Sequence, residues 1–139
     1  MNIYFSCSIT GGRQDQQVYH AIVDLLLKAG HQVPTAHLAR ADVMEKETTV
    51  DPSVVYHRDV NWVLGSDALI AEVSTPSHGV GYEIALALEK KKPVLCCYQH
   101  GRRISKMITG NDMPTLSLYI YKSLDDLLPA IERFLASIQ

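Results

Sequence analysis

The chain has 139 residues, 47% of them hydrophobic and 20% charged, and a formal net charge of −2. That length builds one domain around one core, and the near-neutral balance gives no electrostatic case for a nucleic acid polymer or an anionic membrane. No apolar stretch reaches the roughly 20 residues of a membrane helix, and no basic n-region or cleavage site marks a signal peptide.

Residues 2–9 read as a buried strand, broken by Gly11-Gly12. Val18, Ala21, Ile22, Leu25, Leu26 and Ala29 recur at helical spacing and predict an amphipathic helix ending at Gly30. Residues 31–36 predict a short second strand, weakened by Pro34. Residues 40–51 are a polar excursion, and Asp51-Pro52 is the start signal of a helix over 53–65. A third strand follows over 68–73, a helix over 80–91, a fourth strand over 93–98, one helical turn over 104–108 and a fifth strand over 116–121. Leu124, Leu127, Leu128, Ile131, Phe134, Leu135 and Ile138 form the stripe of a final helix. Ser123 with Asp126 resembles a capping box there, and Pro129 inside the stripe predicts a kink or a later helix start. No linker or internal repeat divides residues 1–139. Three cysteines, Cys7, Cys96 and Cys97, have neither zinc nor redox spacing. The expectation is buried, reduced thiols in a cytoplasmic protein.

Strands alternating with helices predict an α/β fold: a doubly wound five-stranded parallel sheet, Rossmann-like or flavodoxin-like, with helices on both faces. Its usual strand order is 2-1-3-4-5, with the ligand crevice at the carboxyl ends of strands 1 and 3. Here those ends are Ser8-Ile9-Thr10-Gly11-Gly12-Arg13 and Ser74-Thr75-Pro76-Ser77-His78-Gly79, so the topology predicts that the two loops meet. Thr10 to Arg13 offers free amides, a helix N-terminus and a guanidinium, which suit a phosphate. A tight strand-to-helix turn with a solvated Arg13 fits the same residues. The loop is neither a Walker loop nor a G-x-G-x-x-G fingerprint.

Two carboxylates stand out. Glu83 closes the run Ser77-His78-Gly79-Val80-Gly81-Tyr82-Glu83. Placed in a first helical turn, it would be kept ionised by the helix dipole. An ionised, sheltered carboxylate beside a phosphate-sized loop suits a nucleophile for a sugar carbon. Asp59 lies in Tyr56-His57-Arg58-Asp59-Val60-Asn61-Trp62. It reads either as an exposed carboxylate paired with a neighbouring arginine or as the partner of Glu83, since glycosidic cleavage uses two carboxyls around one bond. The six histidines are scattered without metal-ligand spacing, so no metal is expected.

Five ordered blocks carry a family resemblance: Tyr4-Phe5-x-x-Ser8-Ile9-x-Gly11-Gly12-Arg13; His57-x-Asp59-x-x-Trp62; Ala71-Glu72-Val73; Pro76-Ser77-x-Gly79-Val80-Gly81-Tyr82-Glu83; and Gly101-Arg102-x-x-Ser105-x-Met107-Ile108. Together they resemble the 2'-deoxynucleoside 5'-monophosphate N-glycosidases, relatives of the nucleoside 2-deoxyribosyltransferases. The resemblance implies a cofactor-free hydrolase of nucleotide metabolism that releases a free base and 2-deoxyribose 5-phosphate. It makes Glu83 the nucleophile that forms a covalent glycosyl-enzyme, Tyr4 the residue that orients it, and Asp59 the carboxylate that contacts the sugar and assists proton transfer. It places Gly11, Arg13, Ser77 and Gly79 around the 5'-phosphate and sugar. It implies a homodimer in which Ser105 of the partner subunit reaches the phosphate. The chain departs from the family pattern at Cys7, Thr10 and His78. Base exchange between nucleosides, a CMP-type ribonucleotide glycosidase and a non-catalytic nucleotide-binding module are the alternatives.

Overall fold

Among the described residues, four strands form one parallel sheet: β1 (Ile3–Ser6), β2 (Ala68–Glu72), β3 (Val94–Gln99) and β4 (Leu116–Tyr121), in the spatial order β1-β2-β3-β4. The helices are α1 (Gln16–Lys28), α2 (Val43–Glu47), α3 (Pro52–Gly65), α4 (His78–Glu89), α5 (Lys106–Thr109) and α6 (Leu124–Ser137), with a 3₁₀ turn over Ala36–Ala39. The computed structural model describes residues 1–9, 14–40 and 42–139, and Met44 in its backbone alone. The expected loop residues Thr10, Gly11, Gly12 and Arg13 therefore lie outside the described residues.

The sheet has four strands where the alternation predicts five. Residues 31–36 contribute a single parallel bridge between Gln32 and Asn2, on the edge of β1 where the order 2-1-3-4-5 puts strand 2. Ile3 N–H donates to the Gln32 carbonyl at 2.8 Å and Gln32 N–H to the Met1 carbonyl at 2.9 Å. Pro34 then has no N–H for a ladder, and the chain turns into the 3₁₀ segment. The hydroxyl of buried Thr35 replaces the missing strand by accepting from Phe5 N–H at 3.0 Å.

Every residue of β1 and β2 is buried, as a sheet covered on both faces requires. On one face, Ile3, Phe5, Ile70, Leu95 and Cys97 pack against Tyr19, Ile22 and Leu26 of α1 and Leu127 and Ile131 of α6. On the other, Tyr4, Leu69, Ala71, Val94 and Cys96 pack against Val63 of α3 and Val80, Ile84 and Leu88 of α4. The period of two along each strand thus sends Tyr4 and Ser6 to the α3/α4 side. All three cysteines are buried, and none is in a disulfide.

Local signals set the helix ends. Asp51 caps α3 by accepting from Ser53 N–H at 2.8 Å, with Pro52 at the first helical position. Gly30, at φ +80°, ends the turn after α1. Helix α4 begins at His78, two residues before the expected start, because Ser77 caps it. Helix α6 begins at Leu124 and runs through Pro129, so the later start is not observed. Its buried Leu127, Ile131, Phe134 and Leu135 outweigh the one lost hydrogen bond. Asp126 accepts from Lys122 N–H at 3.0 Å, and the Ser123 side chain makes no cap bond.

Candidate active site

Helices α3 and α4 enclose a cleft of about 520 Å³ over the carboxyl end of β1. Asp59 on α3 and Glu83 on α4 both line it. Apolar Ile9, Leu38, Val50, Val55 and Leu86 form much of the remaining wall. Tyr56 and Tyr82 also line the cleft, are about half exposed (49% and 53%), and bring their hydroxyls to 3.3 Å of each other.

The start of α4 at Ser77 changes how Glu83 is held. Glu83 is the sixth residue of the helix, in the second turn, and no acidic residue occupies the first. The dipole is therefore not what governs it, since that effect fades beyond the first turn. Burial dominates and pushes the Glu83 carboxyl up to about 7. The nearby Asp59 raises it further, while Ser6, Tyr4 and Arg58 act the other way. Ser6 Oγ donates to Glu83 Oε2 at 2.5 Å. The expectation of a carboxylate held ionised by the helix terminus is corrected to one poised near neutrality.

Tyr4, fully buried beneath the cleft, is kept protonated by burial and by the negative fields of Glu83 and Asp59. Its hydroxyl interacts with Glu83, yet has no partner at hydrogen-bond geometry among the described residues. Asp59 is paired with an arginine but is sheltered, not exposed: Arg58 Nε donates to its Oδ1 at 2.8 Å, its side chain is 18% exposed, and it lines the same cleft as Glu83. Arg58 also forks onto Glu47 of α2, with Nη1–Oε1 at 3.0 Å and Nη2–Oε2 at 3.1 Å.

The described parts of the connections after β1 and β2 meet, while residues 10–13 of the first expected loop lie outside the described residues. Buried Asp15, just before α1, accepts from Thr75 Oγ1 at 3.0 Å and from Arg102 at 3.1 Å. Ser77 and Gly79 line the cleft, and Ser77 Oγ also accepts from Val80 N–H at 3.4 Å. Gly79 and Gly81, expected in a loop, lie in the first turn of α4. A Cβ on Gly79 would meet nothing closer than the Ser77 hydroxyl at 3.9 Å, so the chain's own packing does not demand glycine there. Ile9 is in the cleft wall, and Ser8 is buried behind it. Ser105 caps α5 and lines a second cavity of about 790 Å³, which shares Ser77 with the first. Among the described residues no cluster of His, Cys, Asp and Glu could hold a metal ion.

Sequence reasoning passed over Ser6, Arg58 and Glu47. Ser6 was findable, because it stands two residues after Tyr4 on one strand and so shares its face. Glu47 comes from the polar excursion, whose short helix has no periodicity long enough to read.

The profile of the nucleoside 2-deoxyribosyltransferase family matches residues 3–118. The chain belongs to that family. It is 48% identical over 112 residues to a Nematostella vectensis protein named 2'-deoxynucleoside 5'-phosphate N-hydrolase 1, covering 78% of this chain and 76% of that one. It is 41% identical over 116 residues to the 5-hydroxymethyl-dUMP N-hydrolase of Tetraodon nigroviridis, covering 81% of each. Among solved structures, the CMP N-glycosidase of Clostridium botulinum aligns over 95% of this chain and 99% of its own with a TM-score of 0.70 at 15% identity, a likeness of fold alone. The deoxyribosyltransferase match stops within β4, so α6, packed on the sheet face away from the cleft, falls outside it.

Proposed function

We propose that the protein is an N-glycosidase that hydrolyses the bond between base and sugar in 2'-deoxynucleoside 5'-monophosphates. The observation that carries this reading is that Glu83 and Asp59 open on one cleft whose far walls are apolar enough for a nucleobase. The names of the relatives, N-hydrolases of deoxynucleoside monophosphates, support the substrate class.

In this reading the ionised Glu83 attacks C1' of the sugar. The C1'–N bond breaks with its electron pair going to the base, which takes a proton from solvent water as it leaves, and a glycosyl ester on Glu83 results. Water then attacks C1', the ester bond breaks with its electrons returning to the carboxylate, and Asp59 assists the transfer of the water's proton. A carboxylate below the sugar also stabilises the cationic transition state before it bonds. Ser6 and Tyr4 orient Glu83. Ser77, Gly79 and the loop from Ser8 to Arg13 hold the 5'-phosphate, whose remote binding energy positions C1'. No step calls for a metal or an organic cofactor. A homodimer with shared sites completes the phosphate pocket with Ser105 of the partner subunit. That is supported by the position of Ser105 outside its own cleft, beside Met107, which is 83% exposed. Buried cysteines outside any disulfide fit a cytoplasmic setting.

Incubation with deoxy- and ribonucleoside 5'-monophosphates, and with the matching nucleosides, followed by chromatography of free base, tests the proposal. Base is expected from monophosphates only, and Glu83→Ala should abolish release while the circular dichroism spectrum stays native. Release from nucleosides, or new nucleoside on adding a second free base, would move the activity to base exchange. Full activity in Glu83→Ala would overturn the mechanism.

A further inference from the structure

Arg58 stands at the centre of a charge network that the glycosidase chemistry does not by itself require. Its guanidinium forks onto Glu47 of α2, donates through Nε to Asp59 and lies 4.9 Å from the centre of the Trp62 ring. All five of its donors are on one planar group, so two acids and a ring fix its orientation completely. Glu47 is held from its other side by His37 Nε2 at 3.3 Å, and His37 packs edge-on against the same Trp62, with ring centres 5.7 Å apart. Glu47, Arg58 and Asp59 are all largely sheltered, with side-chain exposures of 14%, 23% and 18%. Sheltered charges feel one another strongly. Glu47 and Asp59 both line the cleft with Glu83.

We propose that Arg58 is a positioning residue, aiming Asp59 at the sugar and balancing the negative charge of the cleft, and that Glu47 acts through it from α2. The inference rests on the glycosidase reading. Among the described residues, the groups acting on Glu83 are Tyr4 and Ser6 on β1 and Arg58 and Asp59 on α3, and Arg58 is the cation among these four. Glu47 neutralises part of that cation. Removing Glu47 exposes Glu83 to a stronger positive field and favours its ionised form. Removing Arg58 has the opposite effect and also frees Asp59 from its Nε bond. Lysine at 58 keeps the charge and loses the fork.

Three variants therefore separate the roles. The acidic limb of kcat/KM against pH should move down in Glu47→Gln and up in Arg58→Gln, each by roughly half a unit or more. Arg58→Lys should leave the limb in place and lower kcat roughly tenfold or more through a misaimed Asp59. In the double variant Glu47→Gln/Arg58→Gln the two opposite pH shifts should partly cancel, because charge fields superpose, while kcat should fall no further than in Arg58→Gln alone, because Glu47 aims Asp59 only through Arg58. A structural defect would not move the limb in opposite directions. Carbon-13 NMR titration of the Glu83 carboxyl in the resting protein should give the same ordering without turnover. Limbs that move together, or a further fall in kcat in the double variant, overturn the proposal. Opposite shifts by NMR in a protein that releases no base would uphold the charge balance and sink the glycosidase reading instead.

Discussion

Glu83 takes its character from burial and from Ser6, Tyr4, Arg58 and Asp59. A nucleophile must be ionised, and this carboxyl is pushed up to about 7. The sign is that of a base: kcat/KM should fall by roughly tenfold per pH unit below that value and level off above it, which a profile from pH 5 to 9 checks. Tyr4→Phe is informative for a different reason. The Tyr4 hydroxyl is buried and, among the described residues, has no partner at hydrogen-bond geometry, so its removal should leave the melting temperature unchanged or raised. It should nonetheless lower kcat and move the acidic limb upward, because the hydroxyl favours the ionised Glu83. Melting by calorimetry and the pH profile read the two effects separately. Glu83, Asp59 and Tyr4 were legible as a set because ordered motifs name them. The protonation of Glu83 was not, because burial governs it, and burial comes from packing between elements distant in the sequence.

Two elements show how local chemistry overrode the alternation. At the β1 edge, Thr35 stands in for a strand by accepting from Phe5 N–H. Thr35→Val keeps the shape and orphans that buried amide, which should cost about 1–3 kcal/mol in urea unfolding. The strand expected over 31–36 failed at Pro34 for lack of a donor. Pro34 marked that weakness in the sequence, but the Thr35 bond that fills the vacant edge was not legible, since it joins positions 30 apart. The opening turn of α4 is the other case. Gly79 lines the cleft where its own chain leaves room for a methyl group. Gly79→Ala should fold at least as stably as the parent, since glycine within a helix is costlier than alanine, and should raise KM for the monophosphate with little change in kcat. Substrate-dependent rates alongside thermal melts check both halves.

In the molecule as a whole, a carboxyl other than Glu83 is also raised by burial, on the sheet face opposite the cleft. Glu72 is fully buried, takes hydrogen bonds from Ser74 and from Tyr121 at 3.0 Å, and is raised from 4.5 to about 7 by burial first, with Asp15 adding to the rise. A carboxyl raised by folding contributes stability that is complete below its unfolded value and is lost as pH rises through the folded one. Wild type should therefore lose stability relative to Glu72→Gln between about pH 5 and 8, measured by urea unfolding at each pH. The parallel order of the sheet, its two covered faces and the meeting of the β1 and β2 loops were all legible from alternation, because βαβ connections leave few topologies. The Glu72 and Asp15 networks were not, because their members are separated by up to 87 positions in sequence.

Ser105 lines the cavity next to its own cleft and not the cleft itself. If each site draws its serine from the neighbouring subunit, a broken Glu83 and a broken Ser105 damage different sites when they sit in different chains. Glu83→Gln and Ser105→Ala proteins, each inert alone, would then complement each other when unfolded together and renatured. Random pairing about a two-fold axis leaves one intact site in half of the dimers, and so restores about a quarter of the parental activity.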